Sequence, residues 1–308
     1  MVRFLILLAM PAAALAAPPE GDAVIRGKFG ASEIVVTTTA RLAGAIHSVT
    51  WNGQEYIDSA DHGRQLQSAC SFDGGKPGKF WAEAFNPTEA GSRLDGAGAK
   101  STSEPLEMKT EKSGLRSRTR MAFWLAPGEK SGEFPALNDK KLSEHTVEKR
   151  VAIGSGKFPN VLDFRVTFRG PKTEKHTYAQ YEALTGYMPP EFSRFQTWNP
   201  KDGRLAELSD GPGEQNLPVI LSKPDGEHAM GVWSPDQPSK GYGAAGYGRF
   251  RFRDEKVVKW NCVFRYKDAG GVEVAERAFR IFAVLGTLDD VTSTLAGLVK
   301  ADADARGR

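Results

Sequence analysis

The chain has few of the residues that most often announce a chemistry. Of its 308 residues, 2 are cysteine and 5 are histidine. Cys70 and Cys262 do not form a C-x-x-C pair, which removes the usual basis for dithiol redox chemistry. Their spacing leaves open a disulfide or two buried thiols. There is no H-E-x-x-H or paired-histidine motif, so neither a metal nor any other cofactor is expected. G-x-S-x-G, S-x-x-K and a phosphate loop are also missing, and serine-hydrolase and nucleotide readings have no starting point. Lys and Arg number 41 against 38 Asp and Glu, a net charge of +3 with the signs interspersed. That balance lacks the concentrated basic patch of a nucleic-acid binder, so no nucleic-acid partner is expected. The segment Arg116 to Arg120 (R-S-R-T-R) alternates and reads as the solvent face of a strand. No repeat of 20 to 50 residues is evident, which disfavours solenoids and propellers.

Long apolar runs are missing as well. The one hydrophobic stretch lies at the N-terminus, where Arg3 precedes the run Phe4 to Met10 and a string of alanines. It is shorter than the roughly 20 residues a membrane-spanning helix needs. A positive start, a short apolar core and the small-x-small end Ala14-Leu15-Ala16 form the secretory pattern. Residues 1–17 are therefore expected to be a signal peptide cut after Ala16 or Ala17, giving a periplasmic or secreted protein. No cysteine follows the alanines, so no lipid anchor is expected, and no later segment predicts a membrane span.

What the chain does have is short β-type runs punctuated by glycine and proline. Ile34 to Thr39 is β-branched. Ile46 to Trp51 runs into Asn52-Gly53, which accepts the positive φ angles of a type I′ turn, and continues as Gln54 to Ile57. Leu115 to Leu125, His145 to Ile153 and Val161 to Phe168 alternate apolar with polar, the last two facing each other across residues 154–160. Leu217 to Leu221 and Ala229 to Trp233 flank a turn at Lys223-Pro224-Asp225-Gly226. Arg249 to Phe252, Val257 to Tyr266 and Glu276 to Leu285 complete the set. Period-two alternation of this extent predicts antiparallel sheets with one wet face. One helix is predicted after Thr287, a plausible N-cap, with Val291, Leu295, Leu298 and Val299 at helical spacing and a frayed polar tail from Ala301.

Three segments carry candidate chemistry. In the first, Asp61 to Ser92, His62 and Arg64 are two positions apart and share a face on a strand, Gln67 takes the opposite face, and Glu83, Asn86 and Glu89 recur at every third position. A turn with capping side chains explains the latter three equally well. In the second, Ser143 to Glu148, His145 is an acid or base near neutral pH if it faces a cleft, and an ordinary core-facing residue if it does not. In the third, His176 to Pro200, aromatic and amide side chains are dense: Tyr181, Tyr187, Arg194, Gln196 and Trp198 suit a sugar, whose C–H-rich ring faces pack on aromatics. Pro189-Pro190 and Asn199-Pro200 predict a long irregular connection there. The competing reading is an aromatic core under a loop. His228 lies beside a hairpin turn.

The segment His62-Gly63-Arg64, followed by Gln65 to Ala69, resembles the Gly-Arg segment beside the sugar in aldose 1-epimerases of the galactose mutarotase-like superfamily. That resemblance implies an all-β fold, a large antiparallel β-sandwich over residues 18–308 with one C-terminal helix, and a carbohydrate partner. Arg64 is the ligand carried over. The epimerases' paired histidines and late glutamate have no matching motif here. The resulting expectation is an exported protein acting on a sugar or uronic-acid-containing glycan by proton transfer, as a lyase or an epimerase. His62 or His145 would be acid or base, Arg64 would neutralise an oxyanion or carboxylate, and Tyr187 and Trp198 would stack the ring. Gln67, Glu83, Asn86, Glu89, Arg194 and Gln196 would read its hydroxyls. The alternative is a non-catalytic glycan-binding or envelope-associated protein.

Overall fold

The computed structural model describes residues 20–76, 80–240, 243 and 245–307. The proposed signal peptide lies outside the described residues.

Strands β1 (Ala23–Phe29) and β2 (Ser32–Thr38) open the chain as a hairpin. Next, β3 (Ile46–Trp51) turns into β4 (Gln54–Glu55) through Asn52 and Gly53 at φ 48° and 76°. Positive φ at both positions is what a type I′ hairpin requires and what Asn-Gly tolerates. There follow β5 (Leu66–Phe72), the two-residue β6 (Pro87–Thr88), β7 (Glu104–Glu111), β8 (Gly114–Phe123) and the small hairpin β9 (Lys130–Ser131) and β10 (Phe134–Pro135). The long strands β11 (Leu142–Ser155), β12 (Phe158–Arg169) and β13 (Tyr178–Met188) come next, then β14 (Arg194–Trp198), β15 (Leu205–Glu207) and β16 (Gly213–Gln215). The series ends with β17 (Val219–Ser222), β18 (Ala229–Trp233), β19 (Tyr247–Phe252), β20 (Val257–Lys267), β21 (Arg277–Gly286) and the helix α1 (Leu288–Arg306).

All strand pairs are antiparallel and resolve into two layers. The first runs β1-β2-β3-β5-β13-β20-β19-β16, with β3 and β5 joined by the single pair Ile46–Leu66. The second runs β7-β8-β11-β12-β21-β18-β17-β14-β15. Short β6 pairs with β5 on one side and β8 on the other, so the hydrogen-bonded network is continuous. Together the layers make the expected large antiparallel β-sandwich with one C-terminal helix.

The core lies between the layers. Tyr181 and Phe264 of the first layer meet Phe168 and Phe279 of the second, with ring centroids 4.1 Å apart for Phe264 and Phe279 and 5.2 Å for Phe168 and Tyr181. Inside this core Lys149 reaches Glu89 at 2.7 Å, and both side chains are at most 2% exposed. A second apolar layer covers part of the outer face of the second sheet, where Val291, Leu295 and Leu298 of α1 pack on Trp198, Ile220, Phe282 and Val284. Gly231 permits that approach, because a Cβ there would fall 2.5 Å from Val291 Cγ1. Thr287 caps α1, as the sequence predicts, and Asp290 completes a reciprocal box with it.

Two local expectations change, and one open alternative closes. The stretch 176–200 is not irregular: it forms β13 and β14, and Pro189–Pro190 fall in the turn between them. The polar tail stays helical to Arg306, which pairs with Asp302 one turn earlier at 2.8 Å. Cys70 and Cys262 are both buried free thiols.

Candidate functional site

The outer face of the first sheet carries a polar cluster that strand alternation builds. On β13 the face-out residues are Gln180 and Glu182, then Thr185 and Tyr187. A register shift between Glu182 and Leu184 keeps Glu182 and Thr185 on one side although they are three apart. Across from them on β20 lie Lys259, Asn261 and Arg265, paired in register with Tyr187, Thr185 and Gln180. On β19, Phe250 and Gly248 lie opposite Lys259 and Asn261. On β5, Gln67 lies opposite Thr185. The other half of each strand points inward, as Tyr181, Leu184, Trp260 and Cys262.

The centre of the cluster is Glu182 and Lys259, 3.1 Å apart with side chains 21% and 12% exposed. Thr185 Oγ1 donates to the same carboxylate at 2.8 Å, and Asn261 is hydrogen-bonded to it as well. Burial pushes the Glu182 carboxyl up, but the Lys259 ammonium and these donors outweigh it and hold the group below the usual carboxylate range. Lys259 is moved the other way: burial opposes its charge, and Glu182 and Tyr187 more than restore it, so its pKa is raised. Its ammonium donates to the Tyr187 phenol and lies 5.2 Å from the Tyr187 and Phe250 ring centroids. Burial keeps the Tyr187 phenol protonated beyond its ordinary range despite Lys259. Tyr187, Phe252 and Phe250 form a row of near-parallel rings, 6.3 Å and 6.2 Å between centroids.

Gly248 leaves a notch in this face. A Cβ there would collide with Asn261 Oδ1 and come within 2.9 Å of Phe250. That same Asn261 oxygen is buried and has no partner among the described residues. Gln67 Oε1 on β5 is likewise unpartnered, while its amide donates to Gly63 O at 3.0 Å. At the rim Arg265 bridges Gln180 at 2.9 Å and Glu214 at 2.6 Å.

Arg64 stands at the other rim. Its guanidinium is 2.9 Å from Asp61 and 3.7 Å from Asp58, and it donates to Glu255 O in the turn between β19 and β20. Backbone bonds from Asp58 N to Tyr187 O and from Tyr187 N to Gln65 O tie this segment to the end of β13. Of the residues singled out from sequence, the fold thus brings together Arg64, Gln67 and Tyr187.

The others lie elsewhere. His62 is buried, with Nδ1 2.8 Å from Gly96 O and Nε2 2.8 Å from Arg41 O, which leaves neither ring nitrogen free to move a proton. Glu89 belongs to the core pair with Lys149, and its Oε2 also accepts from Ser68 N. Asn86 is spent on Cys70 O and Ser71 Oγ. Glu83 is half-buried in the turn before β6. Arg194 and Gln196 share Glu207 on the second sheet. Trp198 is buried beneath α1 and offers no ring face to a sugar. His145 points into the sandwich, 3.2 Å from Glu174, with His176 3.0 Å from the same carboxylate and stacked on Phe72 at 4.6 Å. Burial first, and then neighbouring His176, lower the His145 pKa to about 4 against the pull of Glu174. A cleft of about 260 Å³ opens beside this group between Phe85, Phe123 and Leu142.

Sequence reasoning missed Glu182, Lys259, Asn261, Phe250 and Phe252. A signal was present: Lys259 and Asn261 alternate with Trp260 and Cys262 inside the apolar run Val257 to Phe264. Among the described residues no group of three or more His, Cys, Asp or Glu side chains is placed to hold a metal ion.

No described protein family matches the chain, and no curated protein matches it. Solved structures do resemble it over most of its length. A galactose mutarotase-related enzyme from Lactobacillus acidophilus is 11% identical, aligning 87% of this chain with 98% of that one at a TM-score of 0.45. A protein from Synechocystis sp. PCC 6803 is 7% identical over 90% of this chain and 100% of its own, at a TM-score of 0.43. An α-galactosidase from Geobacillus stearothermophilus is 9% identical over 87% of this chain and 42% of its own, at 0.41.

Proposed function

We propose that the chain is an exported carbohydrate-active protein that holds a sugar against the outer face of its first sheet and transfers protons there. The observation that carries this reading is the Glu182–Lys259–Tyr187 assembly. It places an anion, a cation and a protonated phenol side by side on a half-buried sheet face, next to near-parallel aromatic rings and two unsatisfied amide oxygens. Ring hydroxyls both donate and accept, so they match Asn261 Oδ1, Gln67 Oε1 and the Glu182 carboxylate on one side and Lys259 on the other. Phe250 and Phe252 supply the apolar platform. Export is supported by the pattern of residues 1–17.

Of the two proton-transfer chemistries, the epimerase type fits better. Glu182 is held ionised by strong donors, which makes it a weak base. It suits the relatively acidic anomeric hydroxyl and is poorly matched to a C5–H bond beside a uronate. In the epimerase step Glu182 takes the anomeric hydroxyl proton, the bond from C1 to the ring oxygen breaks, and Tyr187 gives its proton to that oxygen. Lys259 stabilises the phenolate left behind. Rotation about C1–C2 and the reverse steps complete the inversion. The second reading, binding without turnover, is favoured by the same three hydrogen bonds on Glu182, since they occupy lone pairs that a base needs.

Polarimetry of freshly dissolved aldoses with and without the protein tests the proposal. Faster mutarotation, abolished by Glu182→Gln, is the expected result. Unsaturated-product absorbance from a polyuronate would replace the epimerase with a lyase. Calorimetric sugar binding without either activity leaves the binding reading, and no binding to any sugar overturns both.

A further inference from the structure

The outer face of the second sheet carries a row of cations that crosses five strands. Lys109 on β7 is in register with Arg116 on β8, Arg116 with Arg150 on β11, Arg150 with Arg165 on β12, and Arg165 with Arg280 on β21. Residues directly opposite in an antiparallel pair point to the same face, and neighbouring strands lie about 4.8 Å apart. Like charges placed this way repel and weaken the sheet. Lys109, Arg150 and Arg165 are exposed, and Arg116 and Arg280 are about two-fifths exposed.

Counter-charges lie to either side of the row rather than in it. On one side Glu107 and Glu148 pair with Lys109 at 2.9 Å, Arg116 at 3.2 Å and Arg150 at 3.3 Å. On the other, Asp163 holds Arg280 at 2.7 Å, and Glu111 stands at the edge strand. Arg165, between Arg150 and Arg280, makes no ion pair or hydrogen bond among the described residues. Lys109, Lys112, Arg116, Arg150 and Arg165 line a groove of about 850 Å³ together with Glu111 and Asp163, so its cations outnumber its carboxylates five to two.

The geometry points to a binding groove for a linear acidic polysaccharide, with one carboxylate per sugar ring lying along the cation row. Occupants of other shape fit less well. Duplex DNA presents a charge about every 1.7 Å of its axis on a broad cylinder, several times denser than one cation per strand. A lipid surface is flat, and both it and a duplex would press on the carboxylates that flank the row. A single-file polyanion follows the row and meets fewer of those carboxylates, Glu111 and Asp163 at the groove wall. The groove is on the opposite sheet from the proposed sugar site and does not depend on it.

Native gel electrophoresis in the presence of polygalacturonate tests the groove. The expected result is retardation by polygalacturonate, none by dextran, and weakening as salt rises. Arg150→Gln/Arg165→Gln, both exposed positions, is expected to bind at least tenfold more weakly with an unchanged thermal midpoint. Arg165→Gln alone is expected to lose about threefold, and Lys259→Met on the other sheet to bind as the unchanged chain does. Lack of retardation at low salt, undiminished binding by the double variant, loss with Lys259→Met, or tighter binding to duplex DNA or phosphatidylglycerol vesicles would each overturn it.

Discussion

Lys149 and Glu89 meet at 2.7 Å inside the sandwich, from a strand of the second sheet and the segment that follows β6. A charged pair with both partners almost fully covered is held by each partner's need for the other. Lys149→Met or Glu89→Gln is therefore expected to cost about 3–5 kcal/mol, because either leaves an uncompensated buried group. Replacing both by apolar residues is expected to recover most of that loss. Denaturant midpoints for the two single variants and the double variant check this, and additive losses would show that the ions do not act as a pair.

Glu182 and Lys259 are coupled more weakly because water reaches both. Lys259→Met is expected to cost about 1–2 kcal/mol of stability and to abolish sugar binding. In Glu182→Gln the carboxamide still accepts from Thr185, so the fold is expected to persist while turnover stops. Calorimetric titration beside thermal unfolding separates the two effects, and unimpaired sugar binding in both variants would remove the site from this sheet face.

The pH dependence of stability follows from His145. Its folded pKa, about 4, lies below the unfolded value of 6.5. Between those values the unfolded chain binds more protons than the folded one, so stability falls as pH drops from 6.5 towards 4 and is fully present above 6.5. The full span is about 3 kcal/mol. Glu174 lies against the same imidazole, and His176 and Asp73 continue the cluster behind it. His145→Gln is expected to flatten the profile, and a midpoint as steep with pH in that variant would assign the slope elsewhere.

Gly231→Ala tests how α1 is seated. The added methyl meets Val291 Cγ1 and Leu295 Cδ1. A loss of about 1–3 kcal/mol is expected from overpacking. An unchanged thermal midpoint would show that the helix shifts freely on the sheet.

Much of the fold was legible in the sequence because period-two alternation, Asn52-Gly53 and the Thr287 cap act locally. The site was less so. Arg64 and Tyr187 could be named singly, but their meeting depends on long-range pairing of β13 with β5 and on the backbone bonds of Tyr187 to Asp58 and Gln65, which no local pattern signals. His145 and Trp198 carried the right chemistry on strand positions that the fold covers, His145 inside the sandwich and Trp198 beneath α1. The cation row was hidden for the same reason. Arg116 read correctly as a solvent-facing residue, yet Arg150, Arg165 and Arg280 join it only through register across separate strands.

Strand β7 has a further consequence. No strand pairs with its outer side among the described residues, and its unpaired amides and carbonyls would otherwise template another chain. Its sequence, EPLEMKTE, counters this with Glu104, Glu107, Lys109 and Glu111 and with Pro105, which has no N–H to offer. The sheet margin is thus built to resist edge-to-edge aggregation, and neutral substitutions along it are where the protein would first begin to self-associate at high concentration.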